Sequence, residues 1–552
     1  MRPRLVALGV LGALALAAAP ASALEVHCAQ DTGVGGEWPM QGQNLRSDRS
    51  QPAEKALDAV AAATLMPAWT FDANRWTHVS NNEVTGYPIV DNGCVFVGSS
   101  TGNDANGAHL PGYVFALNAD NGDVVWETKV GGGVYATVAV DSGVVYAFVS
   151  KVGAPTLVAL DELTGKVLWQ TVVDRQPGSD AVSSPIVYDG MVWVGVSGTA
   201  AETGDGGGER APFQGSGVLI ATKELTAPKF DPPYADQADG SATFEPGDII
   251  RKAYTIPPGQ WKDGYAGGSQ WGTISIDPST GFGYVGTGNP FNYDSEHPNT
   301  NAVLKLDLDR SRPTFGQYTG SYKGEVEEYY PGAAGALNEA CTNAESVPNF
   351  YALGVECARL DLDFGTTPNI FTDKNGRHIV AAGQKSGVLH FIDADTMKPI
   401  AETLLGVPSP VGGIVGSSAY DGTYLYGPHT IGGYLWSVDA TSHMQHWLSP
   451  VADGVHWGPP VTLANNILYS VDLKGFLTAY DSGTGQPLLE LPMSVGSDTR
   501  ENPTLSWGGV SVAQHKVFVS VGVGLTSAGL PSMPDGYVIA YSPFQVPLPG
   551  KR

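Results

Sequence analysis

One short unit recurs along this 552-residue chain, and its spacing limits the fold more than any other feature. An alternating apolar run ends in Asn or Asp, a turn of the Asp-x-x-Thr-Gly kind follows, and an apolar or aromatic residue stands eight residues after the Asn or Asp. Asn118 leads to Trp126, Asp161 to Trp169, Asp439 to Trp447, Asp393 to Ala401 and Asp481 to Leu489. Weaker copies at 217–225, 301–309 and 536–543 bring the number to eight. Alternation makes a strand buried on one side. The Asp caps backbone amides, the Gly takes positive φ, and the Trp on the returning strand packs between neighbouring sheets. Another strand pair precedes most units, as at 184–198 and 459–475. Four short strands per repeat make one propeller blade. The pattern therefore predicts an all-β, eight-bladed β-propeller over 24–552, in preference to a solenoid or a row of sandwiches. The 71 glycines and 39 prolines suit strands joined by many turns and argue against helical bundles. Asn118 and Asp161 are 43 residues apart but Asp307 and Asp393 are 86 apart, so extra chain is inserted, at about 199–265 and 310–360.

The first 23 residues read as a secretory signal: Arg2 and Arg4, an apolar stretch from Leu5 to Ala19, and Ala21-Ser22-Ala23 before the cut. The stretch is shorter than the roughly 18–20 residues a bilayer span needs, and no later segment is apolar enough, so the expectation is an exported, periplasmic or secreted protein without a transmembrane segment. A net charge of −25 excludes nucleic acid as the natural partner. It suits a cationic protein partner, or solubility alone. Four cysteines remain after the signal, an even number that favours disulfides in an exported chain. Cys341 and Cys357 close a short loop within one insertion, and Cys28 with Cys94 would then tie the amino-terminal arm to the first blade. No C-x-x-C-H occurs, so the sequence carries no c-type haem attachment site.

The Asp-x-x-Thr-Gly…Trp repeat, with EWPMQGQNLRSDRSQ at 37–51, resembles the tryptophan-docking propeller of the quinoprotein alcohol dehydrogenases, which depend on pyrroloquinoline quinone (PQQ). SSPIVYDGMVWVGVSG (183–198), LDLDFGTTP (360–368) and GQKSGVLHFIDADT (383–396) are similar to the polyvinyl-alcohol dehydrogenase subgroup. The resemblance implies roles for six residues. In GGSQWGTISIDPSTGFGYVGTGNP (267–290), Trp271 stands where the family stacks a Trp on the quinone, and Asn289 where it has a metal-binding Asn. Glu202 matches the metal-binding glutamate, although SGTAAE holds two extra residues before it. In Asp-Leu-Asp at 361–363, Asp361 aligns with the catalytic base and Asp363 with an additional metal ligand found in lanthanide-using relatives; the register between the two stays open. Lys385 falls beside the quinone oxygens. Four of the six have a plainer alternative: a blade-docking Trp for Trp271, a turn residue for Asn289, a solvated loop residue for Glu202 and a turn residue for Lys385.

The family therefore implies PQQ and Ca²⁺, or a lanthanide, as cofactors. Glu202, Asn289 and Asp363 would hold the cation, Asp361 would take the hydroxyl proton of an alcohol substrate, and electrons would pass to an external acceptor such as cytochrome c. One departure bears on substrate. The vicinal cysteine pair of several family members is absent, and GGGVYATVAV (131–140) occupies about that place. A wider pocket follows, better fitted to a secondary, bulky or polymeric alcohol. The rival functions are a non-catalytic propeller acting as a binding or assembly scaffold, and a propeller hydrolase working through its acids.

Overall fold

The computed structural model describes residues 26–79, 82–102, 110–198, 212–230, 238–291, 296–324, 362–406, 412–430, 432–450, 460–493, 508–523 and 533–544. They form eight antiparallel blades. The first to seventh blades begin, on their innermost strands, at Ile89–Asp91, Ala139–Asp141, Ile186–Tyr188, Ser275–Asp277, Asn369–Thr372, Ala419–Tyr420 and Thr462–Ala464. The eighth takes Val510–Ala513, Lys516–Val523 and Met533–Pro543 from the carboxy-terminal end, and its outermost strand, Leu65–Asp72, from the amino-terminal end. The ring is closed by that shared sheet, which removes the free edge an open array would leave. The third blade's outer strands, Ser216–Ala221 and Ile249–Tyr254, are separated by an extra hairpin, Leu225–Pro228 with Ser241–Phe244. Within 199–265 the described residues thus supply two blade strands with a hairpin set between them. The strand Tyr318–Lys323 likewise completes the fourth blade, and 325–361 lies outside the described residues.

The repeat's turn and Trp act together across blades. Trp126, on the first blade's outer strand, lies on the turn of the second: its Nε1 donates to Glu162 O at 2.8 Å, and a Cβ at Gly165 would stand 2.5 Å from its ring. Gly165 has φ +67°, so the position needs glycine for conformation as well as space. Trp69 docks in the same way on Gly122 and Ala119, and Trp447 on Gly485 and Ser482. On the third blade Arg251 occupies the equivalent strand position. Its stem packs on Gly316, its Nε donates to Gly316 O at 3.0 Å, and its guanidinium lies 3.9 Å from the Phe230 ring. A cationic side chain serves there because its stem covers apolar surface while its head still finds an acceptor.

The amino-terminal arm follows the ring. Gly36 O accepts from Gln514 N on the eighth blade, and Trp38 exchanges both backbone hydrogen bonds with Val90 on the first. Pro39 O then accepts from Val140 N, Leu45 O from Ile276 N, Arg46 O from Ile370 N, Asp48 O from Tyr420 N and Arg49 O from Leu463 N, in blade order. Arg49 is fully buried and donates to Gln41 O, Val461 O and Thr462 Oγ1. Burial pulls its pKa down to about 10. Cys28 is joined to Cys94 and anchors the start of the arm to the first blade. Cys341 and Cys357 lie outside the described residues. Because the arm caps the strand ends at the first hairpin turns, the opposite ends of the blades are left to carry the site.

Candidate functional site

At that opposite face two kinds of loop project: those entering each innermost strand, and those joining the second strand of a blade to its third. Trp271 lies on the entry to the fourth blade and Asn289 on its second-to-third connection. Asp363 and Lys385 hold the same two positions on the fifth. Residues far apart in sequence thus reach one corner of the ring because adjacent blades repeat the same loops.

Local backbone interlocks fix them. Gly267 and Gly268 have φ of +99° and +66°, which lets the 264–274 segment fold tightly against the Asn289 connection. Gly268 N donates to Asn289 O at 2.9 Å, Gly288 N to Ser269 O at 2.8 Å, and Phe291 N to Ala266 O at 3.0 Å. On the fifth blade, Lys385 N donates to Asp363 O at 3.0 Å. The side chains then converge. Trp271 Nε1 donates to Asp363 Oδ2 at 2.8 Å, and Lys385 Nζ donates to the same oxygen at 3.2 Å. The ammonium stands 5.4 Å from the Trp271 ring centroid. Asp363 is only 5% exposed and Lys385 6%, so this is a desolvated ion pair. Such a pair persists where further hydrogen bonds satisfy it, as the indole N–H does here. Asn289 is 2% exposed, and its neighbour Gly288 is so close that a Cβ there would lie 3.5 Å from Asp363 Oδ2. The Trp271 indole is half-buried and rests on Gly365, where a Cβ would come within 2.1 Å of it. Three of the six residues singled out from sequence, Trp271, Asp363 and Lys385, therefore meet, with Asn289 on the adjoining connection. Glu202 and Asp361 lie outside the described residues.

The structure adds groups that no sequence motif marked. Glu83, on the entry to the first blade, is 2% exposed, and burial pushes its pKa up to about 8. Tyr135, on the entry to the second blade, is raised to about 12, chiefly by burial and with Glu83 and Asp180 adding repulsion. Ser150 Oγ donates to Asp180 Oδ1 at 2.6 Å. His429, on the sixth blade, packs its ring on Gly406; burial lowers its pKa. None belongs to a repeat or a spaced motif, and each acquires its environment only when the blades assemble. Among the described residues no three His, Cys, Asp or Glu side chains form a metal-binding group, and no helix is long and apolar enough to cross a membrane.

The described residues thus form an eight-bladed ring with Trp docking between blades and an indole, a buried carboxylate and a lysine in contact at one corner. The chain is similar to polyvinyl-alcohol dehydrogenases and to quinohemoprotein alcohol dehydrogenases. It is 27% identical to a polyvinylalcohol dehydrogenase of Pseudomonas sp over 65% of this chain and 49% of that protein. It is 25% identical to one of Sphingopyxis sp. over 87% of this chain and 70% of that protein. The chain thus spans about half the length of the first of these relatives. The fold is that of the quinohemoprotein alcohol dehydrogenase from Comamonas testosteroni, with a TM-score of 0.63 at 16% identity over 93% of this chain and 82% of that one. It also matches a europium-containing methanol dehydrogenase, with a TM-score of 0.62 at 15% identity over 92% of this chain and 98% of that one. A family model described as outer membrane protein assembly factor BamB matches residues 54–229.

Proposed function

We propose that the chain is a PQQ- and metal-dependent dehydrogenase that oxidises an alcohol to a carbonyl, with a secondary, bulky or polymeric alcohol as substrate. The observation that carries this reading is the meeting of Trp271, Asp363 and Lys385 beside the Asn289 connection. The residues present suit the implied groups. An indole pressed against the Gly365 backbone is a rigid platform for a planar ring. Asn289 and Asp363 offer hard oxygen donors of the kind Ca²⁺ or a lanthanide takes, with Glu202 as a further donor.

The quinone, when bound, accepts the electrons of the alcohol's carbon–hydrogen bond. The protein's own groups do the rest. Asp361 takes the substrate hydroxyl proton as general base. Asp363 receives Trp271 Nε1 and Lys385 Nζ on one oxygen, so its carboxylate is held in a fixed direction. The Lys385 ammonium would set positive charge beside the bound quinone, which suits a group that takes up electrons. An external acceptor such as cytochrome c would receive the electrons, and the protein would work after export, in the periplasm or outside the cell.

A scaffold reading finds support in the assembly-factor match, but that match ends at residue 229, before Trp271, Asn289, Asp363 and Lys385. It reports the repeat and not this corner. Substitution separates the readings. Asp361→Asn should keep quinone and metal and lose turnover, while Asn289→Ala and Glu202→Ala should lose both ligands. An active Asp361→Asn beside an inactive Asp363→Asn would exchange the roles of the two aspartates. Full activity in both would remove the mechanism.

A further inference from the structure

Behind Asp363 runs a buried polar chain that the dehydrogenase reading does not use. Gln384, next to Lys385 and fully buried, donates from Nε2 to Leu362 O at 2.8 Å. That carbonyl belongs to the residue preceding Asp363. Gln384 Oε1 accepts from Ser386 Oγ at 2.8 Å and faces His390 Nε2 at 2.9 Å. On the other side of the ring, His390 Nδ1 stands 2.9 Å from Tyr322 Oη, which in turn lies 2.7 Å from Glu402 Oε1. His390 is 1% exposed, whereas the Glu402 side chain is 16% exposed. The chain therefore leads from the fifth blade's outer strand, Pro399–Leu404, to the backbone that carries Asp363.

The orientation of each group follows from its neighbours. Leu362 O can only accept, so the amide nitrogen of Gln384 must face it and the amide oxygen must face His390. The Gly324 backbone leaves the amide no other room: a Cβ there would be 2.8 Å from Oε1 and 2.9 Å from Nε2. His390 Nε2 therefore carries a proton. Two contacts remain, Nδ1 to Tyr322 and Tyr322 to Glu402, and each needs one proton. Tyr322 supplies one. The other sits on Glu402, with a neutral ring, or on His390 Nδ1, as an imidazolium 3.5 Å from the carboxylate. A neutral histidine beside an ionised glutamate would be one proton short, and one of the two contacts would open. The other neighbours identified on the ring, Phe364 and Gln384, carry no charge, so besides Tyr322 the ionisable group that faces it is Glu402.

We infer that Glu402, Tyr322 and His390 hold one exchangeable proton and act through Gln384 as positioning residues that fix the backbone at Leu362–Asp363 for alcohol oxidation. Loss of that proton slackens the chain: Tyr322 keeps one acceptor, the ring loses its anchor, and the Asp363 carbonyl that receives Lys385 N is held less firmly. Moving the proton between Glu402 and Nδ1 through Tyr322 breaks one O–H or N–H bond for each one formed, and needs no other reactant.

This inference rests on the dehydrogenase reading for its purpose but not for its test. In full-length protein labelled with ¹⁵N-histidine and free of added cofactor, His390 Nε2 should be protonated at neutral pH. Tyr322→Phe, which cuts the chain at nearly constant volume, should speed hydrogen exchange at the Lys385 amide about fivefold, the effect of one hydrogen bond. Glu402→Gln keeps a group beside Tyr322 but cannot ionise. It should leave exchange slow and remove the pH dependence of the protection factor, the part that remains after the intrinsic base catalysis of exchange is divided out, and it serves as the second arm if Tyr322→Phe does not fold. In quinone-loaded protein Tyr322→Phe should lower kcat and leave KM for the alcohol unchanged. An unprotonated His390 Nε2, or Lys385 exchange that neither substitution alters at any pH, would overturn the inference. Failure to bind quinone would instead count against the dehydrogenase reading and leave these spectroscopic results standing.

Discussion

Gly365→Ala tests whether the Trp271 platform is set by backbone packing. The added Cβ would meet the far edge of the indole at 2.1 Å, where apolar carbons settle at roughly 3.5–4.0 Å. Either the indole or the 363–366 backbone must give by about 1.4 Å. Trp271 Nε1 now reaches Asp363 Oδ2 at 2.8 Å. A shift of that size takes this contact past hydrogen-bonding range and uncouples the platform from the carboxylate. Overpacking should cost about 1–3 kcal/mol of stability. Misplacing the platform by more than 1 Å should lower turnover on the order of a hundredfold. The assays are thermal melting and quinone retained through gel filtration, read from its absorbance. Gly131→Ala is the control, because nothing lies within 4 Å of a Cβ there, and it should change stability by less than about 0.5 kcal/mol. Were Gly365→Ala to melt with the parent and keep its quinone, the packing argument would be wrong.

Other consequences can be measured as directly. Arg49→Ala strips a donor from Gln41 O, Val461 O and Thr462 Oγ1 at once; at roughly 1–3 kcal/mol for each buried group left unpaired, chemical denaturation should show a loss of several kcal/mol. Cys28→Ser with Cys94→Ser opens a loop of sequence separation 66, and denaturation should register up to about 4 kcal/mol of destabilisation by the chain-entropy estimate. Glu83 has its folded pKa raised from 4.5 to about 8, so the folded state holds a proton there that the unfolded state releases. Stability from this group is present below about pH 4.5 and falls as pH rises towards 8, by at most about 1.4 kcal/mol per unit. Glu83→Gln should flatten that slope in the cofactor-free protein, and an unchanged slope would reject the buried, protonated state.

How far the sequence discloses this molecule depends on the range over which each feature is encoded. The Asp-turn to Trp spacing lies within about ten residues and reflects the strand period and turn chemistry, so the blades and docking Trp residues are legible in it. Trp271, Asn289, Asp363 and Lys385 became visible through resemblance to a family; no local spacing joins 271 to 363, and only the repetition of loops on adjacent blades does. Arg251 in a docking position defeats a search for Trp because the requirement is an apolar stem with a donor at its end, which more than one residue meets. The arm from Gly36 to Gln51 is legible only as part of the family resemblance, because its backbone bonds to successive blades leave no periodic side-chain pattern. Glu83 and the His390 chain are isolated letters in sequence, and their chemistry arises from burial and contacts made at long range.

Direct binding of the quinone tests the central claim most sharply. Purified protein, freed of ligands, is mixed with PQQ and Ca²⁺ and passed through gel filtration, and the protein peak is examined for bound-quinone absorbance beside Trp271→Ala and Asn289→Ala. The account predicts one quinone per chain in the parent, dependent on the cation, with retention lost in both variants and alcohol-dependent reduction of the bound quinone. Absence of bound quinone in the parent, or equal binding with neither Trp271 nor Asn289 mattering, would contradict it.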